Sequence, residues 1–131
     1  MLKINHWAVF VAAIAAFVLS TIWYIGFAKQ RAELSAAAMA DVRKPQLVKM
    51  VLEIARNIIL AYVLAYLVTR LGITTWPTAM TFALLLWIGF PVLLLTGSVM
   101  WENVPWKLAA IHGGDWLLKL LAVIVILSRW R

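Results

Sequence analysis

The chain has 131 residues, of which 66% are hydrophobic, and its mean hydropathy is +0.96. Soluble domains are normally about 45–50% apolar, so this excess excludes a water-soluble single core and makes lipid the natural solvent. Cysteine is absent, which removes disulfides, thiolate metal sites and thiol nucleophiles.

The net charge of +7 would suggest nucleic acid in a soluble protein. Here the lysines and arginines sit mainly at the ends of apolar runs, where they anchor helices beside anionic headgroups. No nucleic-acid partner is expected; the lipid bilayer is.

The first apolar run, residues 7–27, holds no charge in 21 residues and can cross a hydrocarbon core of about 30 Å. A cleavable signal peptide is the rival reading, because Ala38-Met39-Ala40 has the A-x-A form. The run is too long for an h-region, and Lys29 and Arg31 intervene, so it reads as a mature helix. Within it Ala8, Ala12, Ala16 and Ser20 recur every four residues. Such a stripe lets helix backbones approach closely in lipid, within the chain or against a second copy in a homo-oligomer.

Residues 28–46 form the one sizeable loop. Its Ala-rich part, residues 30–39, predicts a short interfacial helix that Pro45 ends, restricting Lys44 to an extended conformation. The second span covers residues 47–71, with Gly72 as its C-cap. Trp76-Pro77 opens the third, which is free of charge to residue 99 and should kink at Pro91 beside Gly89. A turn through Glu102-Asn103 leads to Pro105, and the fourth span covers residues 106–128. The expected fold is all-α: a single membrane domain of four transmembrane helices over about 6–28, 47–71, 76–99 and 106–128, with the short interfacial helix in the first loop.

Tryptophans support this register. Trp7, Trp76 and Trp130 fall at one face of the membrane, here side A, and Trp23, Trp101 and Trp106 at the other, side B, forming two interfacial belts. Lys29, Arg31, Arg43, Lys44, Lys49 and Lys107 lie toward side B, against Lys3, Arg70, Arg129 and Arg131 toward side A. Six against four places side B in the cytoplasm, with both termini outside, in a bacterial inner membrane.

The second and fourth spans carry ionisable residues inside apolar stretches. His112, Asp115 and Lys119 fall within an arc of about 60° on one helix face; Lys49, Glu53, Arg56 and Asn57 share a face on the other helix, away from Tyr62 and Tyr66. At about 1.5 Å per residue, Glu53 and His112 lie roughly 8–9 Å in from side B, Asp115 near 14 Å and Lys119 near 20 Å. The lysine stem tilts back toward its own N-terminus, bringing the ammonium toward Asp115. A charge at a helix centre costs about 2.5–3.5 kcal/mol even on insertion scales. These groups must therefore face each other or water. Glu53, Arg56, Asn57, His112, Asp115 and Lys119 are expected to line one pocket open toward side B, with Ser20, Trp23, Tyr24, Thr96 and Ser98 as its rim.

A paired network that only fixes helix register is the plain alternative, and the charges cancel within Glu53–Arg56 and Asp115–Lys119. For His112 the two readings are a structural hydrogen bond and a proton relay. Glu53, His112 and Asp115 are metal-ligand types, but two neighbouring bases compete with a cation, so no metal is expected. His6 reads as an interfacial residue. No HExxH, P-loop, GxSxG or Gly-rich nucleotide motif is present, so neither an enzyme nor a cofactor is expected. Small multidrug transporters share the size and helix count but rest on an acid in the first helix, which has none here.

Ile4-Asn5-His6-Trp7-Ala8-Val9, Trp23-Tyr24, Pro105-Trp106-Lys107-Leu108 and Ile111-His112-Gly113-Gly114 resemble an uncharacterised family of small integral membrane proteins, domain of unknown function seventeen-sixty-one. The resemblance spans nearly the whole chain. It implies a four-helix membrane protein and supplies no activity, site residue or substrate; the family often carries asparagine where this chain has His112. Two functions remain open from the residues themselves: a protein that binds or transports a small polar solute, ion or proton, and an accessory membrane subunit.

Overall fold

The computed structural model describes residues 4–34 and 47–130, all in helices or short connections, with no strand among them. Helix α1 (His6–Gly26) starts on Asn5, whose side chain accepts from the Ala8 amide at 3.2 Å. That bond satisfies one of the four amides a helix N-terminus leaves open. After Phe27 the chain turns into the short α2 (Ala28–Leu34). The loop helix expected over residues 30–39 thus begins earlier and is seen to residue 34. Ala38, Met39, Ala40, Arg43, Lys44 and Pro45, like Lys3 and Arg131 at the ends, lie outside the described residues.

Helix α3 (Leu47–Leu71) closes on Gly72 at φ 67°. Ile73 N–H donates to Val68 O and Gly72 N–H to Thr69 O, the paired bonds of a Schellman cap. Ile73 and Val68 are themselves buried, so the cap is fastened by an apolar contact as well. Helix α4 (Trp76–Trp101) contains a π-helical turn at Ile88–Val92 around Pro91. Proline removes one donor and its ring crowds the carbonyl four residues back. A wider turn relieves both, so the expected break takes the form of a π-turn. Asn103, at φ 56°, carries the chain into α5 (Trp106–Arg129).

Four helices, α1, α3, α4 and α5, are long and apolar enough to cross a membrane. They form an all-α membrane bundle centred on α5, which packs against α1, α3 and α4, while α4 meets no other spanning helix than α5. The Ala8, Ala12, Ala16 and Ser20 stripe is at most 5% exposed. It is used up inside the chain, where α1 backs onto α3 and α5.

Small residues on α5 set the packing distances. A Cβ built on Gly114 would overlap the Trp23 indole, and Trp23 Nε1 donates to Ile111 O at 2.8 Å. From the other side, Trp87 Nε1 donates to Gly113 O, also at 2.8 Å. Two indoles from α1 and α4 thus clamp the same stretch of α5. Trp7, Trp76, Trp101, Trp106 and Trp130 are exposed at helix ends, where indole favours the interface. Trp23 departs from the expected belt: it is turned inward, because only a glycine at 114 leaves space for its ring.

Candidate functional site

The buried residues of α3 are Asn57, Ala61, Leu64, Ala65 and Val68. Among the described residues, its side-B turns before Asn57 are exposed or half-buried, and a cavity of about 820 Å³ lies between them and the rest of the bundle. Its walls come from α1 (Ser20, Thr21, Tyr24), α2 (Arg31), α3 (Lys49, Glu53, Arg56) and α5 (His112, Asp115, Lys119), with Phe17, Ile25, Met50, Leu95 and Trp116 as apolar surface. The size is that of a small-molecule site.

At the centre lies Asp115, with its side chain 3% exposed. Ser20 Oγ donates to its Oδ1 at 2.5 Å. Its Oδ2 takes the Tyr24 hydroxyl at 3.2 Å and faces Lys119 Nζ at 3.2 Å. Lys119 Nζ is also 3.3 Å from Glu53 Oε1, and Glu53 Oε2 is 2.8 Å from Arg56 Nη1. One continuous chain of opposite charges therefore joins α3 to α5. Each charge in this chain of contacts has a partner, which the low-dielectric interior demands.

The Tyr24 hydroxyl also lies 2.7 Å from His112 Nδ1. The one tyrosine proton serves either the carboxylate or a neutral Nδ1, according to the His112 tautomer. Arg31 stacks its guanidinium 4.5 Å from the Tyr24 ring centroid. Lys119 similarly sits 5.1 Å from Trp116, a contact that favours a cation held away from water.

Of the residues expected in the pocket, Glu53, Arg56, His112, Asp115 and Lys119 line this cavity, and Ser20 and Tyr24 join them. Asn57 does not. At 100° per residue it is turned about 40° from Glu53 and sits one turn deeper, where it is 2% exposed with no partner for its Nδ2 among the described residues. Trp23 stands behind the wall on Gly114. Thr96 and Ser98 are on the outer helix, and their hydroxyls return to Leu93 O and Leu94 O of their own backbone. His6, at side A, meets the Tyr62 hydroxyl at 2.8 Å.

Sequence reasoning missed Arg31, Lys49 and Trp116 as wall residues. Lys49 was legible from its shared face with Glu53. Arg31 depends on how α2 folds back after Gly26, which no periodicity reveals. With Lys119 between the two carboxylates, a cation would have to displace its ammonium. Among the described residues no three His, Cys, Asp or Glu side chains converge with metal-ligating geometry.

No curated protein and no solved structure matches this chain. Residues 7–128 match the family model described as "Protein of unknown function (DUF1761)". The match covers all four spans except His6 and Arg129 at their outer ends, and it includes every residue named in the cavity. The chain belongs to the DUF1761 family.

Proposed function

We propose that this protein handles a small polar solute, ion or proton in the membrane, using the side-B cavity as its binding site. The observation that carries this reading is where the charges sit. A network serving only to lock helices together would be sealed among them. Here Asp115 and Lys119, themselves nearly buried, back onto an 820 Å³ space that the more exposed Glu53 and Arg56 also line. Intramembrane ionisable groups of this kind are functional candidates by default. Asp115 and Glu53 act as acceptors, Lys119 and Arg56 as counter-charges, and Tyr24 couples Asp115 to His112. From the lysine and arginine count, the cavity mouth faces the cytoplasm of a bacterial inner membrane.

The accessory-subunit reading keeps one observation in its favour: Asp115 has both oxygens satisfied within the chain. The two readings separate in liposomes under a pH gradient. Solute handling predicts proton or solute flux above background in wild type and its loss in Asp115→Asn and Glu53→Gln. Equal, background-level flux in all three would sink it, and loss of stability or of a co-purifying protein without a flux change would favour the subunit.

A further inference from the structure

We infer that the cavity takes an amphiphile with an anionic phosphate head, held at the Arg31 guanidinium, with its apolar part along Phe17, Ile25, Met50 and Trp116. This rests on the cavity being a binding site, as proposed above, and adds the class of ligand.

Charge is the first argument. Among the described lining residues, with Lys49 left aside, three cations (Arg31, Arg56 and Lys119) stand against two carboxylates (Glu53 and Asp115), a surplus of one. Both carboxylates are engaged by Lys119, and Glu53 by Arg56 as well. A cationic ligand would meet acids already neutralised, whereas an anion meets the surplus.

Arg31 is the second. Its Nε is buried without a hydrogen-bond partner among the described residues, an arrangement that leaves a desolvated donor unsatisfied. The guanidinium carbon already lies over the Tyr24 ring, 4.5 Å from its centroid. A planar fork so placed and short of an acceptor suits a phosphate, which arginine binds through two parallel N–H···O bonds.

Shape is the third. Among the described residues, Leu47, Val48, Met50, Val51 and Leu52 on the side-B half of α3 are exposed. The cavity among the described residues lies between α1 and α3 toward their side-B ends, the level at which headgroups lie. A ligand could enter with its head toward Arg31 and its chain against the apolar wall. A phospholipid of the bilayer and a single-chain organophosphate both have this chemistry.

The test uses the full chain in neutral detergent, with Trp116 on the wall reporting through tryptophan fluorescence and native mass spectrometry counting bound molecules. Probes are dihexanoyl phosphatidic acid, octyl phosphate, inorganic phosphate and dihexanoyl phosphatidylcholine. Both phosphate-headed amphiphiles should bind at least tenfold more tightly than phosphatidylcholine and than inorganic phosphate. Tighter binding of the two-chain probe identifies a lipid, and the reverse order a single-chain ligand. Arg31→Gln should weaken the anionic probes at least tenfold and Arg31→Lys less, while Arg129→Gln at side A changes nothing. Should Arg31→Gln not fold, Arg56→Gln, at an exposed position, tests the same charge surplus.

Equal affinity for phosphatidylcholine, or anion binding indifferent to both arginines, overturns the inference. Asp115-dependent flux of a cation or of protons, with no anion preference, overturns it while leaving the solute-handling reading intact. No binding by any probe, with background flux, removes both.

Discussion

Replacing Lys119 by methionine is expected to destabilise the bundle by about 3–5 kcal/mol, the usual result of removing one partner from a buried ion pair. The ammonium lies 3.2 Å from Asp115 and 3.3 Å from Glu53, so its loss leaves two carboxylates facing each other across a cavity. Asp115 is 2% exposed and tied to Ser20 and Tyr24. The double variant Lys119→Met/Asp115→Asn should recover most of the loss, because the asparagine amide satisfies Ser20 and Tyr24 without a charge. Unfolding in mixed micelles measures both. A single variant within about 1 kcal/mol of wild type would mean that water already screens this pair, contrary to its burial.

Adjacent glycines on α5 should respond in opposite ways to alanine. At Gly113 the nearest atom to a new Cβ is Leu95 Cδ1 at 3.6 Å, an ordinary contact, and a helical Gly→Ala gain of up to about 1 kcal/mol is available. At Gly114 the same methyl group collides with Trp23. The indole is pinned by its bond to Ile111 O, so the methyl must push α1 from α5 or break that bond. Overpacking of this kind costs about 1–3 kcal/mol. The same unfolding assay should place Gly113→Ala at or above wild type and Gly114→Ala clearly below it. Equal effects would show that the Trp23 packing is not what sets the α1–α5 distance.

The four spans were legible because lipid imposes a simple demand, about 20 apolar residues per crossing, and the runs meet it. Gly72 was legible because a helix ending in a left-handed residue favours glycine. The shared face of His112, Asp115 and Lys119 follows from helical geometry alone, and so does the grouping of Glu53 with Arg56. What the sequence could not show is pairwise. Trp23 lies inward because of a glycine 91 positions away. Thr96 and Ser98 stay out because α4 packs only on α5 among the spans, a choice of neighbour that no pattern read from α4 alone identifies. Arg31 reaches the cavity through the turn at Phe27. Asn57 sits only a small rotation from Glu53, and that rotation takes it out of the cavity and into the packed part of the bundle. Pro91 announced a break, but the form of the break, a π-turn, depends on the helix behind it.

The absence of cysteine makes single-cysteine labelling the most direct test of whether the cavity holds water. Thr21→Cys and Glu53→Cys place thiols on its wall. Ile22→Cys and Leu52→Cys place them on exposed apolar faces of the same two helices, where hydrocarbon suppresses the reactive thiolate. A charged, membrane-impermeant thiol reagent added from side B should modify the first pair rapidly and leave the second pair unmodified. Inert wall positions, or labelling no faster there than at Ile22 and Leu52, would mean that these charged side chains do not share a water-filled space.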